Sequence, residues 1–207
     1  AFCAGADIGR FPALLGDSQA AAQYARDCSR LLLHLDGCAK PVVAALNGMA
    51  LGGGFELAMR CHAIVADRGA WMQLPEITLG IVPGIGAMVV PYRRWPQAAM
   101  VFHGMLTRAE RLTAVRAHEL GMVSALADGY ADLVAQAIAQ VHALSGQRPA
   151  SRDGALAVPA FAPAPARLGR PLSAAVTALI EDAVSQAARA ASFTEALEVG
   201  YSAKSAA

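Results

Sequence analysis

The sequence has few charged residues, and its cysteines form none of the patterns that bind metals or build disulfide frameworks. Charged residues make up 16% of the 207, and 17 basic side chains nearly balance 16 acidic ones. Because no basic stripe stands out, nucleic acid is not an expected partner. No C-x-x-C pair occurs, so we expect reduced thiols, no bound metal and a cytoplasmic protein. The cysteines are Cys3, Cys28, Cys38 and Cys61.

Long apolar runs and targeting signals are also missing from the sequence. Mean hydropathy is high, at +0.40, because alanine is abundant, yet no uninterrupted apolar stretch is as long as a membrane span. No signal peptide is visible. With 56% hydrophobic residues, the chain can bury a sizeable core as one domain with an appendage. We therefore expect a soluble enzyme domain with no membrane partner.

Residues 40–66 predict a strand, a tight loop and a helix in succession. An apolar, β-branched run at residues 41–46 predicts the strand, and residues 47–48, Asn-Gly, are a turn pair. Three glycines at residues 52–54 lead into residues 55–60, which have good helix propensity. A helix that starts in consecutive glycines leaves unpaired N–H groups at its positive end and lets another molecule approach closely. Such an end can hold an oxyanion.

Two glutamates lie near this glycine-rich turn. Glu56 follows Gly53 by three residues, so on a helix this carboxylate lies near a ligand oxygen held at the Gly53 N–H. Glu76 has apolar neighbours, which raise a carboxyl pKa toward the range of general acid–base catalysis. Each feature also has a structural explanation: the glycines can serve close packing, Glu56 can cap the helix, and Glu76 can be an ordinary loop acid. The apolar neighbours are Leu74, Ile77 and Leu79.

These features and the opening residues 1–8, AFCAGADI, resemble the enoyl-CoA hydratase/isomerase (crotonase) family in order and spacing. The resemblance runs from residue 1 to about residue 145 and resumes in the final stretch, FTEALEVGYSAKSAA. It implies an α/β fold of crotonase-like stacked ββα turns with a C-terminal helical region. It also implies a homo-oligomer, a trimer or dimer of trimers, in which the C-terminal helices cap a neighbour's site.

The resemblance assigns roles to individual residues. In the family, the AF-x-AG-x-D motif and the middle glycine of the GGG turn each supply one N–H of an oxyanion hole; these positions are Ala6 and Gly53 here. Glu56 and Glu76 match the two acidic residues of the hydratases, and a PG-x-G element follows them. Further expected substrate contacts are Ala4, Asp7, Ile8, Gly52, Pro83 and Gly84.

Hydration of a double bond conjugated to a thioester needs this set of groups. Negative charge develops on the thioester oxygen, and two N–H donors stabilise it; losing one donor costs about 3 kcal/mol. Two carboxyls divide the proton transfers, and we expect Glu76 to be the principal acid–base group while Glu56 orients and activates water. The sequence leaves that assignment open. No cofactor is expected beyond the coenzyme A that forms part of the acyl-CoA substrate.

Three functions remain open at this point. A 2-enoyl-CoA hydratase of fatty acid β-oxidation needs both glutamates. The second function is another reaction of the family, that of an enoyl-CoA isomerase or an acyl-CoA hydrolase. An isomerase can work with one carboxylate. The third is a non-catalytic oligomerisation or docking module of a larger polypeptide.

Two features depart from the common family pattern. Residues 88–96, MVVPYRRWP, resemble crotonase domains fused to 3-hydroxyacyl-CoA dehydrogenases. Residue 1 already lies inside the AF-x-AG-x-D motif, whereas family members begin with further strands. We therefore expect a chain that lacks its N-terminal strands, with a dehydrogenase domain upstream as one possible partner.

The chain divides into three predicted parts. Residues 1–146 form the crotonase core, and residues 147–170, rich in proline and alanine, predict a linker. Residues 171–207 predict two helices, at residues 173–191 and 193–204, that serve oligomerisation. The first has an apolar stripe, which usually packs on its own domain or on a neighbouring subunit. The stripe contains Val176, Ile180, Val184 and Ala187.

Sequence periodicity predicts further elements of the core. Asp17 and Ser18 predict the cap of a helix that runs to about His34. Strands are predicted at residues 62–66 and 122–126, helices at residues 113–120 and 130–144, and helix breaks at Pro91 and Pro96. The first helix is predicted to bury one face, which consists of Tyr24, Cys28, Leu31, Leu32 and Leu35.

Overall fold

Two small three-stranded sheets form the centre of the fold. The computed structural model describes residues 1–14, 16–147, 152–161 and 171–206. The first sheet is parallel and contains β1, β3 and β6, which span Val43–Leu46, Ala63–Asp67 and Ala125–Ala127. The second contains β2, β4 and β5, which span Ala50–Leu51, Trp71–Gln73 and Leu112–Thr113. In this sheet β4 pairs with both other strands, parallel to β2 and antiparallel to β5.

Helices of very different length surround the sheets. Over the described ranges the α-helices are α1 (Ser18–Asp36), α2 (Gly53–Arg60), α3 (Val90–Arg94), α4 (Ala99–Arg108), α5 (Ala114–Glu119), α6 (Tyr130–Leu144), α7 (Pro171–Arg189) and α8 (Phe193–Ala206). Short 3-10 helices span Ile8–Leu14, Glu76–Leu79 and Pro96–Ala98.

Consecutive segments of the chain stack as repeated turns. β1 and β2 are joined by the Asn-Gly turn at residues 47–48, and α2 follows; β3 and β4 then repeat the path of β1 and β2. Ala44 of β1 pairs with Ile64 of β3, and β2 pairs with β4. Each turn therefore adds one strand to both sheets. The predicted α/β fold of stacked ββα turns is confirmed.

Local signals explain where several helices begin. Asp17 caps α1, because its Oδ1 accepts a hydrogen bond from the Ala20 N–H at 2.9 Å. Thr113 caps α5 by accepting from the Arg116 N–H at 3.2 Å. Packing of apolar side chains between the helices and sheets supplies most of the driving force for folding. Fully buried members of this core include Phe55, Met59, Ile64, Met72 and Phe102.

Three sequence predictions were wrong in detail. Leu31 is 71% exposed, so the buried face of α1 does not include it. Residues 122–123 are not in a strand, because the Met122 N–H bonds to the Ala117 carbonyl at the end of α5; β6 begins only at Ala125. Pro91 does not break a helix but lies in the first turn of α3, where a missing N–H costs no hydrogen bond.

The two C-terminal helices pack on their own chain. The predicted stripe of α7 is buried, at Val176, Ile180, Val184 and Ala187. α8 lies against α1, where Arg26 Nε and Glu198 Oε2 are 3.3 Å apart and the Tyr201 hydroxyl bonds to Ser29. Oligomerisation through these helices stays a prediction. None of the described helices combines the length and hydropathy needed to cross a membrane.

Part of the predicted linker contacts the core. The Leu156 N–H donates to the Ala188 carbonyl of α7 at 2.7 Å, and the Leu156, Val158 and Phe161 side chains pack against the main core. Residues 148–151 and 162–170 of the predicted linker lie outside the described residues. The three domain boundaries stay predictions.

A buried arginine joins several of these elements. Arg60, at the end of α2, is 1% exposed, and its Nε donates to both carboxylate oxygens of Asp36 at 3.2 and 3.0 Å. One terminal nitrogen also donates to the Ile85 carbonyl at 3.2 Å and to Ser29 Oγ at 3.4 Å. Arg152 donates to Asp36 at 2.8 Å from the other side. This Arg60 network ties α1, α2 and the turn at residues 83–86 together.

Loss of the Arg60 side chain is predicted to destabilise the fold strongly. Arg60→Met leaves the partly buried Asp36 carboxylate with Arg152 as its remaining cation, so we expect the free energy of unfolding to fall by about 3 kcal/mol in urea denaturation. Arg68→Met is the matched control, because its ion pair with Asp128 is exposed and worth less than about 1 kcal/mol. Equal losses for the two variants would contradict the structural role of the Arg60 network.

Candidate active site

A cleft of about 90 Å³ lies where the N-terminal segment, the start of α2, the Glu76 turn, the PG-x-G turn and α8 meet. Asp7 and Pro83, two of the predicted substrate contacts, are not among its lining residues: Asp7 Oδ1 accepts a hydrogen bond from the Gly9 N–H at 3.0 Å, and Pro83 is buried. The other predicted site residues all line the cleft; they are Ala4, Ala6, Ile8, Gly52, Gly53, Glu56, Glu76 and Gly84. Both predicted acids and both predicted N–H donors are therefore brought together.

The two predicted oxyanion-hole donors are neighbours. A Cβ placed on Gly53 would lie 3.7 Å from the Ala6 nitrogen, and a Cβ placed on Gly5 would lie 3.3 Å from the Gly53 nitrogen. Neither N–H donates a hydrogen bond to another residue within the described ranges. Two adjacent N–H groups without an internal acceptor are suited to binding one negatively charged oxygen.

Close backbone approach creates this pair of donors. The Phe2 N–H donates to the Met49 carbonyl and the Leu51 N–H to the Cys3 carbonyl, both at 2.9 Å, so the N-terminal segment runs alongside β2. Gly54 permits the approach, because a Cβ there would lie 2.7 Å from the Cys3 Cβ. Gly52 has a φ of +48°, a conformation that favours glycine.

Glu56 is held by the neighbouring PG-x-G turn. Its side chain is buried, and its Oε1 accepts hydrogen bonds from the Ile85 N–H at 3.0 Å and the Ala87 N–H at 2.8 Å. Glu56 therefore does not cap α2, which was one explanation that the sequence left open. Burial raises the pKa of Glu56, while the two N–H groups and the charges of Lys204 and Arg60 oppose the increase.

Glu76 has the opposite environment. Its Oε2 is buried without a hydrogen-bond partner in the described part of the chain, and a Cβ on Gly52 would lie 2.6 Å from its Oε1. Burial and the nearby Glu56 carboxylate raise the pKa of Glu76 to about 8. The buried Leu74 and Ile77 contribute the expected apolar surroundings, while Leu79 lines the cleft although it is 53% exposed.

These contacts separate the two acids chemically. Glu56 accepts two N–H hydrogen bonds, which favour its charged form, whereas Glu76 keeps its proton near neutral pH. Two carboxyl groups with different hydrogen-bond environments thus lie in one cleft, beside two N–H donors. This set of groups suits proton transfer on a substrate whose carbonyl oxygen becomes negatively charged.

Sequence reasoning missed several lining residues. Phe11, Tyr24 and Cys28 contribute to the wall formed by the 3-10 helix and α1, and Lys204 enters from α8. Lys204 had one signal in the sequence: only two of the 17 basic residues are lysines, and the other is Lys40.

Comparison with known proteins agrees with this geometry. The family model described as enoyl-CoA hydratase/isomerase matches residues 1–156. The chain belongs to the enoyl-CoA hydratase/isomerase family. A probable enoyl-CoA hydratase of Bacillus subtilis (strain 168) is 36% identical over 137 residues, which are 66% of this chain and 52% of that protein. The peroxisomal bifunctional enzyme of Homo sapiens is 35% identical over 152 residues, 73% of this chain and 19% of that protein.

This family member spans about half the length, or less, of these two curated relatives. Among solved structures, an enoyl-CoA hydratase from Bacillus anthracis matches with a TM-score of 0.61 and 26% identity, over 90% of this chain and 61% of that one. The crotonase-like fold and the similarity to a bifunctional enzyme, both expected from the sequence, are confirmed. The roles of the individual site residues stay predictions.

The raised pKa of Glu76 predicts that the fold weakens as the pH rises. Between its ordinary pKa of 4.5 and about 8, the unfolded carboxyl is ionised while the folded one keeps its proton, so the free energy of unfolding falls across this range. At about 1.4 kcal/mol per pKa unit, the fall is at most about 5 kcal/mol. Glu76→Gln, which stays neutral, should unfold at a higher temperature than the unmodified chain at pH 8 and lose this pH dependence in thermal melts.

A matched substitution at an exposed acid controls for the change in net charge. Glu119 is 54% exposed and pairs with Arg116, so Glu119→Gln should keep the original pH dependence. If the unfolding temperature of Glu76→Gln changed with pH in the same way as that of Glu119→Gln, the assignment of a protonated Glu76 would be wrong.

Proposed function

We propose that this chain catalyses the addition of water across the double bond of a 2-enoyl-CoA thioester. The observation that carries the proposal is a pair of glutamates with different hydrogen-bond partners, beside the N–H groups of Ala6 and Gly53. Glu56 accepts two backbone N–H bonds, whereas the buried Glu76 Oε2 has no partner in the described part of the chain. Membership of the family makes a coenzyme A thioester the expected substrate class. A second acid favours hydration over isomerisation, because an isomerase can work with one carboxylate.

The proposed reaction uses each group once. The thioester oxygen accepts hydrogen bonds from the Ala6 and Gly53 N–H groups as it gains negative charge. The Glu56 carboxylate takes a proton from water while the water oxygen bonds to the β-carbon, and Glu76 gives its proton to the α-carbon. Glu56 then holds the proton that Glu76 has lost, and transfer between the two acids or exchange with solvent restores the starting state. This division is the assignment that we propose for the two acids.

The relatives suggest the wider context. A role in fatty acid β-oxidation, a homo-oligomer and a dehydrogenase domain in the same polypeptide all remain proposals for the whole protein. The similarity to the peroxisomal bifunctional enzyme supports a fused arrangement, and the similarity to the probable hydratase of Bacillus subtilis supports the reaction itself. A cytoplasmic location also remains a proposal.

Hydration of crotonyl-CoA tests the reaction directly. Loss of the conjugated thioester absorbance is followed for the unmodified chain, for Glu56→Gln and for Glu76→Gln. Because each acid is assigned one proton transfer, we expect each substitution to lower kcat by about 10² to 10⁴-fold. Glu119→Gln serves as the control with unchanged turnover. Hydration that survives Glu56→Gln, or no hydration by the folded unmodified chain, would contradict the proposal and point to isomerase or hydrolase substrates.

The adjacent glycines give a second, independent test. Gly53→Ala meets only ordinary contacts, the nearest being Ile85 Cδ1 at 3.6 Å, so the fold should tolerate it. Its methyl group nevertheless enters the cleft 3.7 Å from the Ala6 nitrogen, where the substrate oxygen is expected. We predict a loss of about 10² to 10³-fold in kcat/KM with an unchanged thermal midpoint.

Gly54→Ala is the structural counterpart of that substitution. Its methyl group would overlap the backbone and side chain of Cys3, so the N-terminal segment must move. The thermal midpoint should therefore fall together with activity. If Gly53→Ala were fully active, the position of the oxyanion hole would be wrong.

A further inference from the structure

Helix α8 carries a lysine into the cleft from the far end of the chain. Lys204 is a lining residue, and it lies directly over Gly84: a Cβ on Gly84 would be 2.6 Å from Lys204 Cδ and 2.9 Å from Lys204 Nζ. On its other side the ammonium group lies 5.6 Å from the centre of the Phe11 ring. The absence of a side chain at Gly84 thus makes room for a cation in the site.

The position of Lys204 is fixed by the packing of α8. Ala196, Leu197 and Tyr201 of this helix are buried, and the Tyr201 hydroxyl bonds to the buried Ser29 of α1. Ser29 also accepts a hydrogen bond from Arg60. One turn beyond Tyr201 lies Lys204, so the contacts that hold the helix also hold the lysine over the cleft.

Glu56 and the Oε2 atom of Glu76 are buried, so a nearby positive charge favours ionisation of the pair. The charged and titratable groups that face them are Arg60 from α2, Tyr24 and Cys28 from α1, and Lys204 from α8; the rest of the lining is apolar or backbone. Arg60 is already paired with Asp36. Among the described lining residues, Lys204 is therefore the cation positioned to balance the carboxylates.

We propose that Lys204 is a positioning residue of the active site, whose ammonium group acts as the counter-ion that stabilises the negative charge of the Glu56–Glu76 pair. This role deepens the proposed hydration, on which its importance for turnover rests, but the charge interaction itself does not require that reaction. The positive charge of Lys204 lowers the pKa of both glutamates, which agrees with the geometry. Its charge favours the ionised form of Glu56, the proposed base, while burial and the Glu56 carboxylate keep the pKa of Glu76 raised.

The pH dependence of two variants separates a counter-ion from a structural contact. Lys204→Met removes the charge and keeps much of the length, whereas Lys204→Arg keeps the charge. A unit charge within several Å, at an effective dielectric constant of about 20, shifts a neighbouring pKa by about one unit. We therefore expect both limbs of the kcat/KM profile for crotonyl-CoA hydration to move up by about one pH unit in Lys204→Met and to stay in place in Lys204→Arg.

Lys40→Met is the matched control, because Lys40 is the only other lysine in the sequence and is exposed. It makes the same change in net charge away from the cleft. Thermal melts across the pH range provide a second readout without substrate. In Lys204→Met, the decline in stability linked to Glu76 should extend about one pH unit higher than in Lys40→Met.

The two readouts distinguish failure of this inference from failure of the proposed reaction. A chain that hydrates no crotonyl-CoA but shows the expected shift in its melts would overturn the reaction and support the counter-ion. Coincident melts and rate profiles for Lys204→Met and Lys40→Met would overturn the counter-ion, whatever the activity. If Lys204→Met lowered stability by the same amount at every pH and did not move the pH range of the decline, the counter-ion role would be wrong and Lys204 would be only a packing contact.

Discussion

Three stretches of backbone must approach one another closely for this site to exist: residues 3–6, residues 52–54 and residues 84–87. The first two bring the Ala6 and Gly53 nitrogens together, and the third supplies the N–H groups that bind Glu56. Glycine is required where a side chain would separate them, as Gly54 shows at Cys3. The N–H donors of the cleft are thus backbone atoms, and their positions depend on how the chain packs rather than on flexible side chains. Such preorganised donors need little rearrangement when charge develops on a ligand.

The same packing explains why the two acids differ. Burial alone would keep both carboxyls protonated, but the N–H groups of Ile85 and Ala87 bind only Glu56. The Arg60 network holds this turn in place, because Arg60 donates to the Ile85 carbonyl while it is paired with Asp36. A destabilising feature, the buried Glu76 Oε2 without a hydrogen-bond partner in the described chain, is therefore supported by a strongly stabilising one nearby. Functional sites commonly contain such local costs, which the surrounding structure offsets.

Features set by local sequence were predicted well. The periodicity of residues 130–144 gave the bounds of α6, and the order of apolar run, turn and glycines gave β1, β2 and α2. The family motifs placed Glu56, Glu76, Ala6 and Gly53 near one another, as the cleft shows. Long-range contacts were not predictable in this way. Leu31 is exposed because α8 covers a different face of α1, and Lys204 reaches the cleft through contacts between residues 172 positions apart. No local pattern encodes such a pairing, since it depends on where the last helix packs.

The position of Lys204 also has a consequence for the order in which the molecule assembles. One wall of the cleft comes from residues 4–8 and another from residue 204, so both ends of the described chain are needed to close it. Until α8 docks, the side of the cleft that Lys204 lines lacks both its wall and its charge. Docking of α8 on α1 adds the Lys204 charge to the environment that burial and the Ile85 and Ala87 N–H groups give the two acids. The cleft is therefore complete only when segments from opposite ends of the described chain have packed together.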